Sequence, residues 1–333
     1  ISDRACARNS AARLGSAFSA SFAASPMKHT PSAALSRRNF LAVPAALAAG
    51  AMFSGRALRA ATAATAATAA PAKKKIPIGI ELYCVRGEMQ KDLPGTLRRV
   101  AQIGYEVVEF YSPYFGWKFP YAKEVRTLLD DLGLRCYSTH NSLAALTPGE
   151  TMARAIELNQ ILGARSIVLA SAGRVVGVEG WKKLCAQLTD ASAQLAPHGL
   201  TAGFHNHASE WAKIDGELRI MDVIAANTPP EFTLQFDVGT CIEAGADPIA
   251  WIKANPGRIR SAHLKDWAPG KKEEEKGFRV LFGEGVTPWK EILAAAESVG
   301  GLEFYLMEQE GSRYSEFETA ERCLATWKEM RGA

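Results

Sequence analysis

None of the six cysteines in this 333-residue chain stands in a Cys-x-x-Cys pair, which removes the spacing signals for a zinc knuckle or a dithiol redox centre. No Gly-rich fingerprint follows the first strand-like segment, and this counts against a dinucleotide-binding open sheet. A transmembrane helix needs about 20 strongly apolar residues. The best candidate run, Ala42 to Phe53, is shorter and is interrupted by Pro44 and Gly50. Basic charge is also scarce where a phosphate backbone would need it. Of the 39 Lys+Arg, 11 fall in residues 1–75 beside a single acid, Asp3, so residues 76–333 keep 28 basic against 34 acidic side chains, a net −6. The overall +4 therefore misleads, and nucleic acid is an unsuitable partner.

Present instead is a basic leader of distinct composition. Residues 36–41 read S-R-R-N-F-L and precede the short apolar run, the pattern of a twin-arginine export signal. The expectation is passage through the export machinery to the periplasm, with no stable membrane anchor after cleavage. Met27 opens M-K-H-T and reads as a translation start, which would leave residues 1–26 untranslated. The Ala/Thr stretch 60–72 and Lys73–Lys75 cannot bury a core and read as a linker. Residues 1–75 are thus expected to be signal and linker, and 76–333 one domain. Cys84, Cys136, Cys185, Cys241 and Cys323 lie far apart in that domain and are expected as free, mostly buried thiols.

From Ile76 onward, short apolar runs alternate with amphipathic segments. Strands are expected at 77–83, 105–110, 134–139, 166–170, 200–205, 232–237, 259–264 and 303–308. Helices are expected at 93–103, 121–132, 149–162, 179–196, 216–227, 247–254, 288–298 and 315–331. Gly104, Gly133, Gly163 and Gly199 each follow a helical stretch and precede a strand, as C-terminal caps do. Eight strand–helix repeats predict an α/β fold, a closed (β/α)8 TIM barrel in a single domain.

Such barrels carry chemistry at the C-terminal ends of their strands. Glu109, His140, His205, His207, Asp237, His263, Lys265, Asp266 and Glu308 all fall at or just past an expected strand end, including four of the five histidines beyond the leader. His205, Asp237, His263 and Glu308 sit on four consecutive strands, whose spacing of about 4.8 Å lets their ends converge. Imidazoles mixed with carboxylates suit one divalent ion, Mn, Co, Zn, Fe or Mg, rather than a thiolate-seeking one. His207 is the alternative to His205 as the strand-five ligand.

The stretches F-H-N-H-A-S-E-W (204–211), F-D-V-G-T (236–240), G-A-D-P (245–248), P-G-R-I-R-S-A-H-L-K-D-W (256–267), G-E-G (283–285) and M-E-Q-E (307–310) resemble the sugar phosphate isomerase/epimerase family of xylose-isomerase-like barrels. The resemblance runs from about Ile76 to Trp327. It implies a divalent metal held at the ends of strands five to eight, by His205, Asp237, His263 and Glu308. Many relatives carry Glu where His205 stands, and Gln more often than Glu where Glu81 stands.

A divalent ion beside a base suits α-proton abstraction from a keto-sugar through a metal-bound enediolate, giving isomerisation or epimerisation. Glu308 can serve as ligand and base, with His207 or Glu210 opposite and Lys265 on a substrate oxygen. Glu81, Glu109, His140, Trp117 and Asp266 are the substrate-binding candidates. Tyr83, Tyr111, Phe115, Trp211 and Trp267 are further aromatics near the expected top face. The same metal and base would also serve a lyase or hydrolase of 3-keto-glycosides, and a non-catalytic exported sugar binder is the alternative of another class. An abasic-site endonuclease shares the barrel but requires a basic groove, which the net −6 opposes.

Overall fold

Four-residue strands such as Ile78–Glu81, Val107–Phe110 and Ser166–Leu169 are buried along their whole length, as parallel strands covered on both faces must be. The computed structural model describes residues 75–332 apart from 215, 217 and 271–276. The export signal and linker expected over 1–75 therefore lie outside the described residues, Lys75 excepted.

The barrel strands are β1 (Ile78–Glu81), β2 (Val107–Phe110), β3 (Arg135–Asn141), β4 (Ser166–Leu169), β5 (Thr201–His205), β6 (Thr233–Asp237), β7 (Ser261–Leu264) and β8 (Phe304–Met307). They pair in parallel in chain order, and β8 closes onto β1. This is the expected closed barrel. Gly79 is required on β1, because a Cβ there would come within 2.7 Å of Val107 Cβ and 2.9 Å of Leu306 Cδ2.

Helices α1 (Arg86–Lys91), α2 (Leu93–Ile103), α3 (Phe119–Asp131), α4 (Glu150–Leu162), α5 (Gly177–Leu195), α6 (Ile220–Asn227), α7 (Val238–Glu243), α8 (Pro248–Ala254), α9 (Trp289–Ala295) and α10 (Glu316–Arg331) form the outer layer. Local chemistry sets their ends. Asp92 caps α2 by accepting from the Gly95 N–H at 2.9 Å, and Gly104 closes it at φ 110°, where a side chain would be strained.

Two departures from the expected pattern matter near the site. The helix expected from 216 starts only at Ile220, because Lys213–Ile214 and Leu218–Arg219 form a small antiparallel pair around Gly216. Short α7, directly after β6, was not foreseen. The five cysteines among the described residues are free and buried, as expected. Among the described residues no helix is long and apolar enough to cross a membrane.

Candidate metal centre and active site

Register brings the strand-end residues to one level. Glu81 is paired with Glu109, His205 with Gln235, and Asp237 with His263. Gly239 lets α7 begin hard against the end of β7, where a Cβ would stand 2.4 Å from the Lys265 carbonyl oxygen. Asp237 caps α7 through Oδ1, which accepts from Thr240 N–H at 2.9 Å. Asn206 clamps the same corner, accepting from Asp237 N–H at 3.0 Å and donating to the Asp237 carbonyl at 3.1 Å. These bonds fix the carboxylate and leave its other oxygen uncommitted.

That oxygen, Asp237 Oδ2, is buried without a hydrogen-bond partner, and so is His205 Nδ1. Buried polar atoms are nearly always paired, so orphans on two neighbouring residues require a reason; the other ring nitrogen, His205 Nε2, stands 3.9 Å from Asp237 Oδ2. His205, Asp237 and Glu308 each offer a ligand atom within 4.8 Å of the others. Burial lowers the His205 pKa well below its ordinary value, which keeps a lone pair available, and burial pushes the Asp237 carboxyl up to about 7. One imidazole and two carboxylates are a fitting donor set for a divalent cation. The residues fit the ion that the resemblance implies.

The adjacent cation is Lys265, with Nζ 3.1 Å from Glu308, 4.0 Å from Asp237 and ion-paired with Glu310. Burial opposes its charge, but these carboxylates outweigh burial and raise its pKa above the usual lysine range.

His263 is placed differently from the simple ligand expected. Its Nδ1 is hydrogen-bonded to Glu308 and its Nε2 lies 2.9 Å from Glu109. Burial works against charge here too, yet the two carboxylates raise the His263 pKa well above its ordinary value. Glu109, also opposed by burial, is lowered to about 2 by His140 and His263. His263 can reach a metal only by releasing one carboxylate; a second grouping with His140 and His205 brings its ring within 4.8 Å of theirs.

Above these residues lies a cavity of about 450 Å³ lined by Glu81, His140, His205, His207 and Glu308, walled by Tyr83, Tyr111 and Phe115. Glu81 is 1% exposed, with Oε1 unpaired. Burial, then Glu109 and Glu308, raise its pKa well above the carboxylate range, which favours its protonated form. His207 is half-buried, and burial lowers its pKa.

The other candidates lie elsewhere. Glu109 sits under the cavity floor, fully buried. Glu210 accepts from the His207 backbone N–H at 2.7 Å and from Ser209 Oγ at 2.8 Å. It holds the turn Ala208–Trp211 and stands 4.0 Å from His207 Nδ1, rather than facing the cavity as an opposing base. Trp117 packs on Phe110 and Tyr121 in a neighbouring groove, Trp211 belongs to the core against Phe236 and Trp251, and Trp267 borders a separate shallow pocket.

Asp266 is turned away too. It accepts from Trp267 N–H (2.9 Å), Gly283 N–H (2.8 Å), Gly285 N–H (3.1 Å) and Trp289 Nε1 (2.9 Å), tying the loop after β7 to α9. Asp266→Ala strands buried donors, so the expected loss is on the order of 3 kcal/mol in urea unfolding, with metal uptake retained. Loss of metal at unchanged stability would contradict this placement.

Sequence reasoning missed Gln235, which donates to Glu109 at 2.8 Å and lies 2.7 Å from His140 Nε2 through Oε1. The signal was available: it precedes Asp237 by two residues and so points to the same face of the strand.

Residues 97–326 match the family model of the xylose isomerase-like TIM barrel. The chain belongs to that family. A curated relative, the inosose dehydratase of Clostridium perfringens, is 29% identical over 113 residues, covering 34% of this chain and 37% of the relative. This match thus spans little more than a third of that protein's length. Among solved structures, a sugar phosphate isomerase/epimerase from Parabacteroides distasonis superposes with a TM-score of 0.64 at 23% identity, covering 77% of this chain and 94% of that one. The IolI protein, solved with a zinc atom, superposes with a TM-score of 0.57 at 14% identity over 76% of this chain and 97% of that one. At such identities these two likenesses concern the fold.

Proposed function

We propose that this chain is a metal-dependent sugar isomerase or epimerase that removes the proton α to the ketone of a keto-sugar or sugar derivative. The observation that carries the reading is the buried, unpartnered atoms on His205 and Asp237, grouped with Glu308, where His205 and Glu308 line an aromatic-walled cavity. A divalent ion, when bound, supplies a Lewis acid for the carbonyl oxygen.

The remaining work falls to side chains. His207 takes the proton: its lowered pKa leaves the ring neutral near pH 7, and Glu210 holds the turn that presents it. Lys265 keeps Glu308 and Asp237 apart from each other's charge and in place. Glu81, as a neutral acid, donates a hydrogen bond to a substrate oxygen. Tyr83, Tyr111 and Phe115 pack against the C–H face of the ring.

A second reading, elimination from a 3-keto-glycoside or a related ketone, is favoured by Glu81. A carboxyl group kept protonated beside the reacting carbon can hand its proton to a departing oxygen. Sequence similarity to a dehydratase supports the same reading.

The test is solvent-deuterium incorporation into a panel of ketoses and 3-keto-glycosides by the Mn-loaded protein, read by mass spectrometry. Deuterated isomers or epimers favour the first reading and release of water or aglycone the second. His207→Ala should keep its metal and exchange roughly 100-fold more slowly. No deuterium in any ketone, with the metal fully loaded, would discard proton abstraction altogether.

A further inference from the structure

Among the described residues that line the cavity, the carboxylates of Glu308 and Glu310 carry the charge, and no lysine or arginine lines it. Two cations stand behind its wall, and both are already engaged. Lys265 contacts Glu308 and Glu310 and lies 4.8 Å from the centre of the Phe278 ring. Arg86 donates to the carbonyls of Tyr83 at 2.9 Å and Glu310 at 2.8 Å, with its guanidinium 4.4 Å over the Tyr83 ring.

A phosphate group is recognised by charge-assisted bonds from such cations or by a nest of backbone N–H groups. This cavity offers instead the edge-to-face pair Tyr83–Tyr111, ring centres 5.3 Å apart, and the hydroxyls of Ser112, Ser142 and Ser171. Flat apolar faces and neutral hydroxyls match the C–H and O–H groups of a polyol.

We propose that the site takes an uncharged polyhydroxylated ketone and rejects its phosphate ester, and that Glu310 enforces the choice. The inference rests on the proton-abstraction reading above for the nature of the reacting ketone. Glu310 acts twice. Its carboxylate occupies the Lys265 ammonium, and its partly exposed side chain presents negative charge to anything entering. A phosphate dianion carried away from the metal ligands therefore meets repulsion and, among the described residues, finds no free side-chain cation in the cavity wall to offset it.

The experiment compares D-fructose and D-psicose with their 6-phosphates on wild type and Glu310→Gln. Binding is measured by titration calorimetry on the metal-free protein, and deuterium exchange on the Mn-loaded one. Wild type should bind and exchange the free sugars, with the esters at least about tenfold weaker. In Glu310→Gln, Lys265 gains freedom to meet phosphate, so the ratio should narrow by about tenfold, an effect that shrinks in high salt. Equal or preferred use of the esters by wild type overturns the proposal and leaves proton abstraction standing. An unchanged ratio in Glu310→Gln overturns the role of that residue. Absence of both binding and exchange with every member removes both readings together.

Discussion

Asp237→Asn should fold normally and lose the metal. The substitution keeps Oδ1, which caps α7 through the Thr240 N–H, and replaces the oxygen that has no partner. It also removes a carboxyl whose burial already resists ionisation. Stability without metal should therefore hold or rise. The response to metal is where the large change lies. A ligand at 100 times its Kd stabilises the folded state by about 2.7 kcal/mol, and an open catalytic site has few ligands to spare. Mn²⁺ should raise the melting temperature of wild type and leave Asp237→Asn unmoved, with deuterium exchange down roughly 100-fold or more. His205→Ala should behave like Asp237→Asn, whereas His207→Ala should still respond to Mn²⁺. Acid has a predictable sign. Metal competes with the proton on Asp237, whose pKa is raised to about 7, so affinity falls as pH drops below neutrality. Full metal occupancy in Asp237→Ala and His205→Ala alike would end the metal hypothesis.

The fold was legible because its signals are local. Gly104, Gly163 and Gly199 each sit in the left-handed region at a helix end, and the strands that follow them begin within three residues of expectation. Strand-end chemistry was legible for the same reason: period-two alternation fixes which residues face inward. What alternation does not specify is which inward residue meets which across the barrel. Glu109 and His263 are 154 positions apart, and their contact depends on closure of the whole sheet. The role of Glu210 was written locally and was read differently. His207-Ala208-Ser209-Glu210 has the glutamate three residues past the turn's first residue, the spacing of a capping box. Trp117 follows the short turn Ser112–Gly116, which carries it onto Phe110 and away from the cavity.

His263→Leu should be the most damaging single change to stability. It removes the imidazolium held between Glu109 and Glu308 and leaves two buried carboxylates without that partner. Breaking a buried ion pair from one side costs about 3–5 kcal/mol. The Glu109 shift from 4.5 to about 2, which His140 and His263 produce together, corresponds to about 3 kcal/mol in all, of which His263 supplies a part. The pH dependence separates this cause from simple loss of packing. In wild type, the contribution of Glu109 is present above its unfolded pKa and is lost as pH falls toward 2. His263, with a raised pKa, contributes fully below its unfolded value near 6.5 and loses that contribution as pH rises through its folded pKa. The network is therefore most favourable between about pH 4.5 and 6.5. In His263→Leu the share of the Glu109 contribution that His263 supplies is lost, while His140, Ser138 and Gln235 still hold the Glu109 carboxylate. The gap in melting temperature between wild type and variant should thus be on the order of 10 °C near pH 6 and should narrow as the pH is lowered toward 2, where the Glu109 contribution is lost. A packing defect would leave that gap constant with pH.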